Sequence, residues 1–167
     1  VIAPYLRRAI PESIWSRHVC LVVHPGIVGD RGPSALDWAI QEGEREWGVT
    51  VLQANAEMDA GDIWAAETFA MRDAKKSSLY RNEVTEAATR AVLAAVERCA
   101  TPGFEPTPLA AAQARGRLRP LMRQDDRRID WARDDTAAIV AKLNAADGFP
   151  GVADALFGIP CNLFDVH

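Results

Sequence analysis

Two titratable side chains stand where hydrophobic runs break off. In CLVVHPGIVGDRGPSALDWAI, Cys20 to Ile40, an apolar run ends on His24 and passes into a loop rich in Gly, Asp and Pro. In TVLQANAEMDAGDIW, Thr50 to Trp64, an alternating run ends at Ala54 and Asp59 follows. An imidazole and a carboxylate on neighbouring loops make an oriented acid–base pair, the carboxylate fixing the ring tautomer and stabilising the imidazolium. The same residues also have ordinary readings. A histidine at a strand end is commonly a structural hydrogen-bonder. Asp59-Ala60-Gly61-Asp62 is by composition a turn, in which Asp bonds its own backbone and Gly takes positive φ. Two aspartates and one distant histidine form no recognised metal-ligand spacing, so no metal is expected. His18 and His167 have no supporting context. Arginines at 7, 8, 115, 117, 119, 123, 127, 128 and 133 form either a phosphate-binding face or solvated charge balanced by nearby acids.

For His24 and Asp59 to meet, two strands must be sheet neighbours ending at one edge, which is where open α/β sheets bind ligands. Val19 to Val23 is short, apolar and β-branched, as a strand buried on both faces would be. Pro33 to Gln41 reads as a helix with Leu36, Ala39 and Ile40 on one side. Thr50–Ala54 and Ile63–Phe69 read as antiparallel strands about the Asp59–Asp62 turn. Ser77 or Ser78 is placed to cap a long helix to about Cys99, with Tyr80, Val84, Ala87, Ala91 and Ala95 along its inner side. TPGFEPTPLA then breaks the helix and reads as a linker. Beyond it, RGRLRPLMRQDDRRIDW is basic and strand-like, and DDTAAIVAKLNAADGFPG carries an Asp cap, a short helix, then Gly and Pro. The opening VIAPYLRRAIPESIW reads as a strand end, a turn and a short helix, as in a fragment of a longer protein.

The totals narrow the function classes. At 167 residues the chain suits one domain, or one and a small appendage. A net charge of −4 gives no basic field for nucleic acid, and no apolar run approaches the ~18 residues of a membrane span. Three cysteines without CxxC spacing suit a reducing, cytoplasmic setting and give no disulfide framework.

Ordered motifs add a resemblance. His24, Arg31-Gly32, Trp38-Ala39-Ile40, Gly48-Val49-Thr50 and Asp59-Ala60-Gly61 follow the pattern of the formyltransferase-fold family that uses N10-formyltetrahydrofolate, and the match runs from about Ile2 to Phe69. RIDW (Arg128–Trp131) and GFPG (148–151) resemble the start of that family's C-terminal domain. Two features depart from the pattern: Val22 stands where the family has Asn, and His24 is followed by Pro-Gly with a loop one residue shorter. These look most like the HypX (HoxX) branch, which serves nickel–iron hydrogenase maturation.

The resemblance implies an α/β, Rossmann-like formyltransferase fold, incomplete and holding the C-terminal part of the sheet. Residues 1–101 would be the catalytic domain, 102–112 a linker and 113–167 the start of a small C-terminal domain. It implies that His24 serves the oxyanion and proton transfer while Asp59 orients it or a water. Val22, Gly26 and Gly61 would lie on the folate side, with glycine letting backbone approach the formyl carbonyl. Arg31 and Gly32 would hold the loop, Arg31 through backbone carbonyls or through Asp30 or Asp37. The implied donor is N10-formyltetrahydrofolate and the acceptor CoA, with a downstream enoyl-CoA hydratase-like module completing synthesis of the CO ligand of the hydrogenase iron. An amine formyltransferase, such as one acting on methionyl-tRNA, and a non-catalytic folate-binding module are the other classes.

Overall fold

The computed structural model describes residues 1–167 apart from 5, 7, 149 and 167, so Arg7, His167 and the Phe149 of GFPG lie outside the described residues. Four strands form one sheet in chain order: β1 (Ile2–Ala3), β2 (Leu21–His24), β3 (Glu46–Gln53) and β4 (Ile63–Ala70). β1 lies parallel to β2, a step that needs a crossover, and the segment holding α1 (Glu12–Trp15) supplies it. β2, β3 and β4 are successive antiparallel neighbours; the turn chemistry around Asp59 suggests this for β3 and β4 only.

Alternation decides the faces. Leu21 and Val51 pack with Trp64 and Ala65 of β4 against Ala91 and Ala95 of α4 (Thr85–Cys99). Trp47 and Val49 pack with Leu36 and Ala39 of α2 (Ala35–Gln41) and with Leu79, Val84 and Ala87. Burying each such large side chain is worth about 1.5–3 kcal/mol, so this helix-covered face holds the sheet together. Val22, His24, Thr50 and Leu52 pair across the opposite face.

Boundaries differ from the sequence expectation in instructive ways. β2 runs on to His24, which pairs with Thr50 as the last residue of the strand. β3 starts at Glu46 rather than Thr50, because Trp47, Gly48 and Val49 pair with Phe69, Thr68 and Glu67 of β4. The long helix begins as α3 (Lys76–Leu79) and passes through a π turn at Tyr80–Val84 into α4. That turn rotates the apolar stripe, leaving Leu79 fully buried and Tyr80 40% exposed. Neither Ser77 nor Ser78 caps it by side chain; the Ser77 N–H donates to Asp147 Oδ2 at 2.8 Å.

The linker is packed. Thr107 and Ile63 exchange two backbone hydrogen bonds of 3.0 and 2.8 Å, and Phe104 meets the Trp64 ring at 5.5 Å. After it come α5 (Gln124–Arg127), α6 (Thr136–Ala145), whose first turn Asp135 caps through Ala138 N, and the hairpin β5 (Val152–Leu156) and β6 (Ile159–Leu163). Ile129, Leu143, Ala146 and Val152 form a small core there, and α6 lies against α2.

Candidate active site

The site is built from the carboxyl end of β2. Two side chains of β3 hold the chain as it leaves His24: Thr50 Oγ1 donates to the Gly26 carbonyl at 2.8 Å and Trp47 Nε1 to the Pro25 carbonyl at 2.9 Å. The loop curls back, and Asp30 Oδ2 comes 2.8 Å from His24 Nε2. Both groups are buried, the ring at 4% exposure and the Asp30 carboxylate at 0%. Only glycine fits inside that curl, since a Cβ at Gly26 would lie 2.4 Å from His24 Nε2 and 2.6 Å from Asp30 Oδ2. On the other side of the ring, Nδ1 lies 3.5 Å from Asp59 Oδ2. That same oxygen accepts the Gly32 N–H at 3.1 Å.

The structure brings His24 and Asp59 together, but not on loops of one sheet edge: β2 and β3 are antiparallel, so the loop after Gln53 leaves beside Leu21 and Asp59 reaches back to the ring at the other end of β2. Their turn is built differently from its composition. Asp59 takes the positive φ, +53°, and its carboxylate bonds the neighbouring loop. Gly61 is required by a close approach instead: a Cβ there would sit 1.7 Å from the Gln53 carbonyl oxygen. Val22 is partly buried, two residues before His24 and on the same strand face.

Arg31 corrects one expectation. Its guanidinium pairs with Glu57, not Asp30 or Asp37. Asp30 is turned inward onto His24, and Asp37 is already bound by Lys76 at 3.0 Å and Arg127 at 2.5 Å. The Arg31 backbone holds the loop: its N–H donates to the Arg117 carbonyl at 3.2 Å and its carbonyl accepts Arg119 N–H at 2.9 Å. Gly32, at φ +115°, has the Arg119 carbonyl oxygen where a Cβ would be, at 2.1 Å. A cleft of about 520 Å³ opens beside this seam, with Gly29, Arg31, Glu57, Ala60 and Leu118 on its walls.

Two site residues escape the sequence reading. Asp30 enters it only as a partner for arginine, and Arg119 only as one basic residue among nine. Arg119 is 7% exposed; Nη2 bonds Glu42 at 2.7 Å, the guanidinium lies 5.4 Å over the Trp47 ring, and Nη1 stands 4.0 Å from Asp30 Oδ1. Arg115 and Arg117, at alternate positions before it, pair with Glu46 and Glu42 at the surface. The alternation in RGRLR is one available signal, because it puts all three arginines on one side of an extended segment.

The family model described as formyl transferase matches residues 1–96. The chain belongs to the formyl transferase family. Over all 167 residues it is 54% identical to the hydrogenase maturation factor HoxX of Bradyrhizobium diazoefficiens, and it spans 30% of that protein's length. It is 30% identical over 139 residues to the methionyl-tRNA formyltransferase of Acidovorax ebreus, covering 82% of this chain and 42% of that one. The crystal structure of HypX from Aquifex aeolicus in complex with tetrahydrofolic acid superposes with a TM-score of 0.88 at 48% identity, over 98% of this chain and 28% of that one. A 4-N formyltransferase from Francisella tularensis, 16% identical with a TM-score of 0.76, covers 98% of this chain and 69% of its own and shares the fold. Within the formyl transferase fold, His24 is the last residue of β2, and among the described residues no helix is long and apolar enough to cross a membrane.

Proposed function

We propose that the chain is the formyl-transfer part of a hydrogenase maturation protein, taking the formyl group from N10-formyltetrahydrofolate and passing it to the thiol of CoA. In this reading residues 1–101 carry the reaction, 102–112 connect, and 113–167 begin a second domain; a hydratase-like module further along the full chain converts the product toward CO. The observation that carries the proposal is the buried imidazole of His24, held at the end of β2 between Asp30 and Asp59, in a chain so similar to HoxX and HypX.

In the transfer the CoA thiol gives its proton to the ring of His24 as its sulfur attacks the formyl carbon, the carbonyl oxygen becomes anionic, and the carbon–N10 bond breaks as N10 takes that proton. The site must stabilise that oxygen and move a proton. His24 does both: once a ring nitrogen has taken the thiol proton, that N–H donates to the oxyanion and then passes the proton to N10. Asp59 faces Nδ1 across 3.5 Å and orients the ring or a bridging water. Val22 offers no side-chain donor, and a missing oxyanion donor typically costs about 10²–10³-fold in rate. A thiol acceptor offsets this deficit, since it ionises near pH ~8.5, whereas an amine is mostly protonated at neutral pH. The 30% identity to a methionyl-tRNA formyltransferase favours an amine acceptor as second reading; Val22 and the net charge of −4 count against it.

The test is tetrahydrofolate release by the full-length protein, with CoA, with an amine acceptor, and with neither. Release should require CoA. His24→Ala should abolish nearly all of it, and Asp59→Asn should lower it on the order of 10²-fold through lost orientation. CoA-independent release, or parental activity in His24→Ala, would overturn the proposal.

A further inference from the structure

Formyl transfer asks for one oriented imidazole, yet this ring has a carboxylate at each nitrogen, and the more deeply buried of the two is Asp30. A buried carboxylate is costly unless its oxygens are bonded and its charge is balanced. Asp30 Oδ2 has the His24 ring at 2.8 Å, while Oδ1 has no hydrogen-bond partner. The cation facing Oδ1 is Arg119 Nη1, at 4.0 Å, itself without a hydrogen-bond partner. Two opposite charges with spare bonding capacity thus face each other across a gap that a small side-chain shift closes.

The rest of the arginine is fixed by Glu42 on Nη2 and by the Trp47 ring beneath the guanidinium. The backbones that carry the two groups are fixed to each other. Arg115 and Gly116 N–H both donate to the Val28 carbonyl, at 3.1 and 3.0 Å, and Arg31 and Arg119 are joined as described above. A Cβ at Gly116 would fall 2.0 Å from Asp30 N, so the segment after the linker presses directly on the residue that holds the ring.

We propose that Asp30 and Arg119 are positioning residues for His24: Asp30 accepts the ring's Nε2–H and fixes its tautomer, and Arg119, from beyond the linker, balances the buried carboxylate. This rests on the formyl-transfer reading of His24. With Nε2–H committed to Asp30, the chemically free nitrogen is Nδ1, on the side of Asp59, whose side chain is 13% exposed where that of Asp30 is fully enclosed. Proton transfer therefore runs at Nδ1, and the ring is oriented by a group that never meets substrate.

The test uses full-length protein with N10-formyltetrahydrofolate and CoA, together with ¹⁵N NMR of labelled histidine, the His24 signals assigned by difference from His24→Gln. The proton should reside on Nε2 in the parent. Asp30→Asn should lower kcat on the order of 10²–10⁴-fold, the scale seen when a triad histidine loses its orienting carboxylate, with KM for the folate within about twofold. Arg119→Met should lower kcat about tenfold or more, and Arg119→Lys should restore most of it. The double variant should be no worse than Asp30→Asn alone, because Arg119 acts through Asp30. A ring proton on Nδ1, a kcat in Asp30→Asn within twofold of the parent, or single effects that multiply in the double variant would overturn the positioning role. The ring measurement on the parent needs neither turnover nor a folded Asp30 variant, so it decides the tautomer even if release proves independent of CoA and the formyl-transfer reading falls.

Discussion

Val22 and Gly26 flank His24 and bear on it in opposite ways. Val22 lies on the same strand face, partly buried and paired with Leu52, where the family pattern has an amide. If the acceptor is a thiol, Val22→Asn should give at most a twofold gain with CoA in the folate-release assay. Leaving that amide unpaired on an apolar strand should cost about 1–3 kcal/mol in urea unfolding. A gain of tenfold or more would mean that the site lacks an oxyanion donor and that the thiol argument is wrong. Gly26 is a steric requirement. The methyl of Gly26→Ala would sit 2.4 Å from Nε2, so the His24–Asp30 contact must open; the variant should lose kcat on the scale of Asp30→Asn while keeping its far-UV spectrum. At this scale the sequence was informative wherever a residue type broke a pattern. His24 ends an apolar run and Asp59 follows an alternating one, although the two strands stop at opposite ends of their antiparallel pair. Asp30 breaks no pattern, because an aspartate in a Gly-Asp-Arg-Gly run is ordinary loop composition and nothing local reveals that its carboxylate turns inward.

Elements were legible to the extent that their signals were local. The antiparallel β3–β4 pair, α2 and the Asp135-capped α6 follow from alternation, spacing and capping. The start of β3 and the entry of the long helix depend on partners distant in sequence: β4 pairs with Glu46–Val49, and the α3 first turn is satisfied by Asp147. Burial pushes the Asp147 carboxyl up, but the Ser77 hydrogen bonds and the charges of Lys75 and Lys76 outweigh it and hold the group below the usual carboxylate range. The sign follows. A carboxylate whose folded pKa is depressed adds stability that is fully present above its unfolded pKa, near pH ~4, and is lost as pH falls through the folded value. Asp147→Ala should therefore lower stability at neutral pH by about 1 kcal/mol, as loss of a helix cap does, and the deficit should shrink as pH drops below ~4. Urea midpoints at pH 7 and pH 3 measure it. An equal deficit at both would place the effect in packing and not in the charge.

At the scale of the whole molecule, the segment beyond the linker is part of the site's construction. Trp38 donates to the Pro120 carbonyl, Ser34 Oγ accepts Met122 N–H, and four backbone hydrogen bonds join the Val28–Arg31 loop to Arg115–Arg119. Composition marks this segment as a new unit because it is basic and follows three prolines, and composition is blind to where an extended strand docks. Gly116 is the tightest point of the docking. A Cβ there would meet Asp30 N at 2.0 Å, Asp30 Cα at 2.5 Å and the Gly29 carbonyl carbon at 2.5 Å. All three are backbone atoms, so no rotamer change relieves the clash and the two segments must separate. In full-length Gly116→Val, the four-stranded sheet should persist, since its core residues lie on β2–β4, α2 and α4. Hydrogen exchange should accelerate at the amides of Arg31, Arg115, Gly116 and Arg119, whose bonds cross the seam, and stay parental along β3. Folate release should fall about as far as in Arg119→Met, because separation carries the guanidinium away from Asp30. Fast exchange across the seam with parental release would show that the docked segment braces the fold without setting the histidine.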